Sequence, residues 1–190
     1  VFDKHLQFKK MYSMLNLKKE TIINAEFHIP KLNRVNFRNF NKFGGGCFQD
    51  MSPYASSIIR IFFKNKKYNT KVKKVKNSVG LIESFKLQAK SKNIFLNTSF
   101  SFNSSYKNQI EIFNGNKKYF INFAFSPPID KKLQLGIFDE KKNKKYKIRL
   151  EKQNAFLTYL NFVFNKLRIK KYDFFYKEII NIGKIKEKIS

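Results

Sequence analysis

Residues 93–121 read NIFLNTSFSFNSSYKNQIEIFNGNKKYFI, and the period of this stretch decides the fold class. Within 93–102, Ile94, Leu96, Thr98, Phe100 and Phe102 fall on one side of an extended chain, with Asn97, Ser99 and Ser101 on the other. Successive strand side chains point to opposite faces, so an apolar face with period two is the pattern of a half-buried strand. Asn114-Gly115 separates two further runs of this kind. Both residues accept positive φ, so the pair reads as the turn of a two-residue hairpin.

Outward from this stretch, similar runs occupy 78–88, 106–113, 117–125, 132–138 and 145–150. Together they predict six consecutive strands with short connections, an antiparallel meander. Upstream, Leu6, Phe8, Met11, Tyr12, Met14 and Leu15 form a helical stripe within Phe2–Leu17. Thr21–Ile29 alternates as a strand that stops at Pro30, and 31–43 lacks a clean period and reads as a loop with aromatic anchors. Phe48, Met51, Ala55, Ile58, Ile59 and Phe62 predict a helix from Cys47 to about Phe63, with Pro53 near enough to its start to be tolerated in a first turn. Two helices, 152–166 and 172–182, close the chain.

This order predicts an α+β domain: a mostly antiparallel open sheet with helices packed on one face. The other sheet face mixes Phe and Tyr with Ser and Asn, which suits a subunit interface and a homo-oligomer.

The 190 residues fit one domain, and 23 Phe and 9 Tyr give it a core. No apolar window approaches the roughly 18 residues of a membrane span, and no secretory signal opens the chain. The single Cys47 excludes an internal disulfide and fits a reducing compartment, so a cytoplasmic location is expected. The start, VFDKHLQFKK, has no initiator Met and an amphipathic pattern already under way at Phe2, as expected of a processed or excised piece.

A formal charge of +27 invites a nucleic-acid reading. Only five of the 40 basic residues are Arg (Arg34, Arg38, Arg60, Arg149 and Arg168), and Asn, Ile and Phe are abundant too. That profile matches an A+T-rich coding bias. Base-reading surfaces favour Arg, whose planar fork fits guanine and phosphate. Scattered lysines and runs such as KKNKK (141–145) therefore read as solvated surface, and nucleic acid is not the expected partner. No metal site is read from the sequence.

Candidate chemistry gathers in KFGGGCFQDMSPY (42–54). Gly44, Gly45 and Gly46 precede a helix on which Asp50 and Tyr54 stand one turn apart and so share a side. Glycine before a helix N-terminus lets a ligand approach the backbone, with unpaired N–H groups facing it. A carboxylate and a phenol beside such a gap are equipped for proton transfer. Surface pairs of this spacing are also common without any function.

GGGCFQDMSPY resembles the GGGxxxDxGx(H/Y) segment in the C-terminal domain of the glucose–fructose oxidoreductase / inositol dehydrogenase (Gfo/Idh/MocA) family. NFRNF before the glycines, SFSFNSSYKNQIEIFNGNKKYFI, and AFSPPID (124–130) resemble successive landmarks of that domain, so the likeness covers nearly the whole chain and implies one such domain over 1–190. The nearest resemblance is to members acting on nucleotide-linked sugars. It implies the substrate-binding and dimerisation domain of an enzyme that moves a hydride between NAD or NADP and a sugar, nucleotide-sugar or polyol carbon.

In that frame Tyr54 matches the proton donor/acceptor and Asp50 the acidic position one turn before it. Gly44–Gly46 would open the substrate pocket, and Arg38 is a candidate contact to a substrate phosphate or hydroxyl. The family's Gly in DxG is Ser52 here, and the Arg that often precedes AFSPP is Phe123. Neither GxGxxG nor the family's E-K-P occurs, so the dinucleotide-binding domain that mainly holds the cofactor is absent from this chain. The resemblance therefore implies a fragment inactive by itself. A non-enzymatic assembly or sugar-sensing relative, or a basic nucleic-acid-binding module, are the other classes the sequence admits.

Overall fold

A computed structural model describes residues 5–33, 35–64, 66–170 and 172–190. The domain is α+β. Helix α1 (Leu6–Ser13) leads into β1 (Thr21–His28), and α2 (Cys47–Phe63) follows two short 3₁₀ turns, Phe37–Asn39 and Asn41–Phe43. Seven strands come next: β2 (Asn69–Lys76), β3 (Ile82–Lys90), β4 (Ile94–Ser101), β5 (Lys107–Asn114), β6 (Lys117–Asn122), β7 (Gln134–Asp139) and β8 (Lys144–Arg149). Helices α3 (Ala155–Arg168) and α4 (Asp173–Ile189) end the chain.

All strands join one open sheet in the order β2-β3-β4-β1-β5-β6-β7-β8. The expected uninterrupted meander is corrected here. Strand β1 lies between β4 and β5, parallel to β4 and antiparallel to β5, and every other pair is antiparallel. The β4–β5 connection therefore crosses over the end of β1. Burial gives β1 its central place, since Ile23, Ala25 and Phe27 all pack into the core beneath the helices.

The faces divide as the period-two pattern requires. Ile94, Leu96, Thr98 and Phe100 are buried on the helix-covered face of β4, and Asn97 is exposed on the other. Helix α2 lies over β3 and β4, α1 over β6 and β7, and α4 packs on α2 and on edge strand β2. Helix α2 is buried on nearly all sides, with Phe48, Met51, Ile58, Ile59, Phe62 and Phe63 in the core.

Several boundaries differ from the sequence expectation. Strand β2 went unread because Lys71, Lys73, Lys74 and Lys76 mask its alternation; as an edge strand it needs only a thin apolar face, supplied mainly by Val72. The run 78–88 starts its strand only at Ile82, after a turn that includes Gly80 at φ 80°. The run 117–125 stops at Asn122, because Phe123 takes a left-handed φ of 53° and turns the chain. Helix α1 is the short segment Leu6–Ser13; Phe2 lies outside the described residues. Pro53 falls in the second turn of α2, beyond the first turn where its missing N–H would cost nothing, and leaves the Gln49 carbonyl without its intrahelical donor.

Candidate functional site

The glycine triplet is built into the backbone of the loop before α2. Gly44, in the left-handed region at φ 71°, ends the second 3₁₀ turn, and Gly46, at φ 98°, is the N-cap of α2. Their N–H groups are taken by the chain itself. Gly44 N donates to Asn41 O at 2.9 Å, Gly45 N to Phe40 O at 3.0 Å and Gly46 N to Arg38 O at 2.8 Å. A Cβ on Gly45 would lie 2.5 Å from Arg38 O and 2.7 Å from Phe40 O. The glycines' own N–H groups are thus engaged within the loop. The glycines let the 38–41 turn lie directly against the entry to α2.

That packing brings Arg38 to Asp50. Arg38 Nε sits 2.9 Å from Asp50 Oδ2, a close ion pair rather than an aligned hydrogen bond. The guanidinium also lies over the Phe37 ring, 4.7 Å from its centroid. Asp50 stands in the first turn of α2, where the helix dipole favours a carboxylate. Both members of the pair are about one-third exposed, so the pair is worth at most about 1 kcal/mol to stability. Its significance lies in fixing charge beside Tyr54.

Tyr54 follows Asp50 by one turn and is half-buried. Its ring makes edge contacts with Phe27 at 5.4 Å and Phe125 at 5.3 Å, and those two rings stack on each other at 5.4 Å. The phenol has no hydrogen-bond partner among the described residues. Its pKa is raised above the ordinary tyrosine value, mainly by burial and further by the Asp50 carboxylate, while Arg38 opposes the shift. Tyr54 is thus a protonated donor throughout the neutral range. Cys47, at the start of the same helix, is buried and its thiol is pushed up to about 12, chiefly by desolvation. It is a packing residue rather than a nucleophile.

Phe27 and Phe125 were not singled out by sequence reasoning, although Phe125 belongs to the AFSPPID segment. Its position is set by an array of hydrogen bonds to that segment. His5 Nδ1 donates to Ala124 O at 3.0 Å, and Gln7 Nε2 donates to Asn122 O at 3.0 Å and Phe123 O at 2.9 Å. Phe125 N donates to Asn108 Oδ1 at 2.9 Å. These bonds hold the left-handed turn at Phe123 and aim Phe125 at Tyr54. Such long-range partners leave no period in the sequence.

Tyr54, Asp50, Arg38 and the three glycines thus occupy one end of the sheet, beyond the C-terminal end of β1. The cavity between α1, α2 and α4 and the one over the open sheet face lie elsewhere and do not include Tyr54. The glycine loop, its N–H groups already spent, does not fit the pyrophosphate of a dinucleotide.

No family profile matches the chain, and no curated protein matches it. Solved structures do. A point variant of KijD10, a 3-ketoreductase from Actinomadura kijaniata in complex with TDP-benzene and NADP, superposes with a TM-score of 0.81 at 14% identity over 99% of this chain and 58% of that one. KijD10 itself, with the same two ligands, gives 0.77 at 16% identity, covering 87% of this chain and 52% of that one. The UDP-N-acetylglucosamine 3-dehydrogenase GnnA from Acidithiobacillus ferrooxidans gives 0.68 at 11% identity, covering 89% and 51%. At these identities the likeness is one of fold, and the chain spans about half the length of the structures it matches.

Proposed function

We propose that this chain is the substrate-binding half of an NAD(P)-dependent oxidoreductase of the Gfo/Idh/MocA type, acting on a sugar or nucleotide-linked sugar, with Tyr54 as its proton donor. The observation that carries the reading is the Tyr54 phenol, unpartnered among the described residues, kept protonated by burial and by Asp50, at the rim of a domain whose fold is that of nucleotide-sugar ketoreductases.

The residues divide the work as follows. When a substrate carbonyl is reduced, negative charge grows on its oxygen, and a phenol in hydrogen-bond reach delivers the proton there. Asp50 keeps that phenol protonated beforehand and, through its ion pair, sets where Arg38 stands. Arg38 offers the cation for a substrate phosphate or hydroxyl. Gly44–Gly46 serve substrate binding by fixing this arrangement. The nicotinamide cofactor belongs to a dinucleotide-binding domain beyond these 190 residues, which also supplies the missing wall of the pocket; the chain by itself is then inactive. The free, buried Cys47 agrees with a cytoplasmic setting.

The open sheet face supports a homodimer. Ile22, Phe95, Phe113, Phe120 and Phe138 are half-buried there, beside an amide row in which Gln88 donates to Asn97 and Asn97 to Asn24, each at 3.1 Å. Apolar side chains interleaved with matched amides make a surface that a second copy can cover by symmetry.

Titration of the ¹⁵N- and ¹³C-labelled chain with TDP-glucose and UDP-N-acetylglucosamine tests the assignment. The expected result is perturbation confined to Tyr54, Arg38, Phe125 and the glycine loop by at least one of the two. Perturbation elsewhere only, with these signals unmoved, counts against it.

A further inference from the structure

The opposite end of the sheet carries a further cavity, of about 590 Å³, open to solvent and lined by Lys66, Lys67, Tyr68, Asn69, Lys90, Ser91, Lys92 and Lys188. Three separate stretches converge on it: the α2–β2 connection, the β3–β4 turn and the end of α4. Along β1 it lies near Thr21, whose N–H bonds Asn93 O, whereas Tyr54 touches Phe27. At about 3.3 Å per residue the two ends are roughly 20 Å apart.

Four lysines elsewhere pair with acids, Lys107 with Glu26, Lys117 with Asp139, Lys118 with Glu111 and Lys132 with Glu151, while 40 basic residues against 13 acidic ones leave most others without one. This cavity differs in bringing five from three stretches into one concavity. The cavity has five lysines and no carboxylate in its lining, and none of the five forms an ion pair among the described residues. Three of the five ammonium groups are already held in place. Lys188 Nζ donates to Tyr68 O at 2.9 Å and lies 3.9 Å over the Tyr68 ring. Lys66 Nζ donates to Asn93 Oδ1 at 3.3 Å, and that amide is itself tied to Leu17 O and Lys19 O. Lys90 Nζ lies over the Phe95 ring at 5.0 Å. Lys66 and Lys67 also complement the C-terminal dipole of α2, and Lys188 that of α4, a role that leaves Lys90 and Lys92 unexplained.

We infer that this cavity binds a chain of linked phosphate groups. Unpaired ammonium groups crowded in one concavity repel one another and are relieved by an anion. Five of them exceed what a single phosphate can contact, and a phosphate chain presents several anionic oxygens at this scale. Tyr68, Asn69 and Ser91 supply neutral hydrogen-bonding groups at the same wall. The two sources of such a group are a free polyphosphate and the phosphates of a nucleotide.

Calorimetric titration of the chain with inorganic tripolyphosphate at near-physiological salt decides the point. The expected result is saturable binding, weakened about tenfold or more by K90Q/K188Q and by K66Q/K92Q. The second pair leaves the Lys188–Tyr68 contact untouched and gives up only the exposed Lys66–Asn93 hydrogen bond. K141Q/K142Q removes the same charge in the β7–β8 turn, away from the cavity, and is expected to change affinity less than about twofold. Equal loss in the cavity and control variants, or no saturable binding by the unaltered chain, overturns the inference. A parallel titration with a nucleoside triphosphate tells the source: tighter binding than tripolyphosphate assigns a nucleotide, equal or weaker binding a free phosphate chain, and either upholds the site.

Discussion

Gly45 lies against Arg38 so closely that a methyl group on it would sit 2.5 Å from the Arg38 carbonyl oxygen. The contact is backbone on backbone, so no side-chain rotation can relieve it. Gly45→Ala is therefore expected to destabilise the chain by about 2–3 kcal/mol and to separate Arg38 from Asp50. Gly44 has open space around it and only its left-handed φ to lose, so Gly44→Ala is expected to cost about 1 kcal/mol. Thermal unfolding of the two variants measures the difference, and an equal cost would mean that the close approach is not what the triplet serves.

The charges around Tyr54 act in opposite directions on its phenol. Asp50→Asn removes a carboxylate that disfavours the phenolate and is expected to lower the Tyr54 pKa. Arg38→Gln removes the opposing cation and is expected to raise it. Titration of ¹³Cζ-labelled tyrosine by NMR reads both. Shifts of the same sign in the two variants would show that neither charge faces the phenol.

In the full-length oxidoreductase proposed above, Tyr54→Phe would keep the edge contacts with Phe27 and Phe125 and delete only the donor. Turnover is expected to fall by about 10²–10⁴ with cofactor affinity and thermal stability nearly unchanged. Unaltered turnover would place the proton donor elsewhere.

Alkaline pH is expected to unfold the domain. Tyr54, Tyr68 and Tyr119 all have pKa values raised by burial, and Cys47 is pushed up to about 12. A group whose folded pKa lies above its unfolded one leaves stability undiminished below the unfolded value and draws it down as pH rises through the folded one. Denaturant midpoints across pH 7–12 should accordingly hold, as far as these groups are concerned, up to about pH 8.5, where the unfolded thiol titrates, and fall above it. Replacing Cys47 with Ala should remove the earliest part of that fall, and an unchanged profile would remove Cys47 from the account.

Phe113 stands on the open face, paired across from Ile22 and beneath the Lys118 ammonium, 5.0 Å from its centroid. Phe113→Glu puts a carboxylate where two copies would meet, close to Glu111 on the same strand. Sedimentation equilibrium is expected to show at least a tenfold weaker dimer with the far-UV spectrum preserved. A wild-type chain that stays monomeric at 100 µM (a concentration about a hundred times a typical micromolar Kd) would instead remove the open face as an interface.

Much of the domain was legible one segment at a time. The alternation in 93–102, the Asn114-Gly115 turn and the stripe of α2 each record a local environment, buried on one side and wet on the other, and a local period is enough to reveal it. Asp50 and Tyr54 could be placed on one side of a helix for the same reason. Strand β2 escaped because an edge strand needs so little apolar surface that lysines fill its pattern. The insertion of β1 beside β4, the Arg38–Asp50 pair behind Gly45, the turn at Phe123 held by His5 and Gln7, and the lysine cavity all join residues distant in the chain. Pairings of that kind are chosen by which surfaces fit once the whole chain has collapsed, and a one-dimensional period carries no record of them.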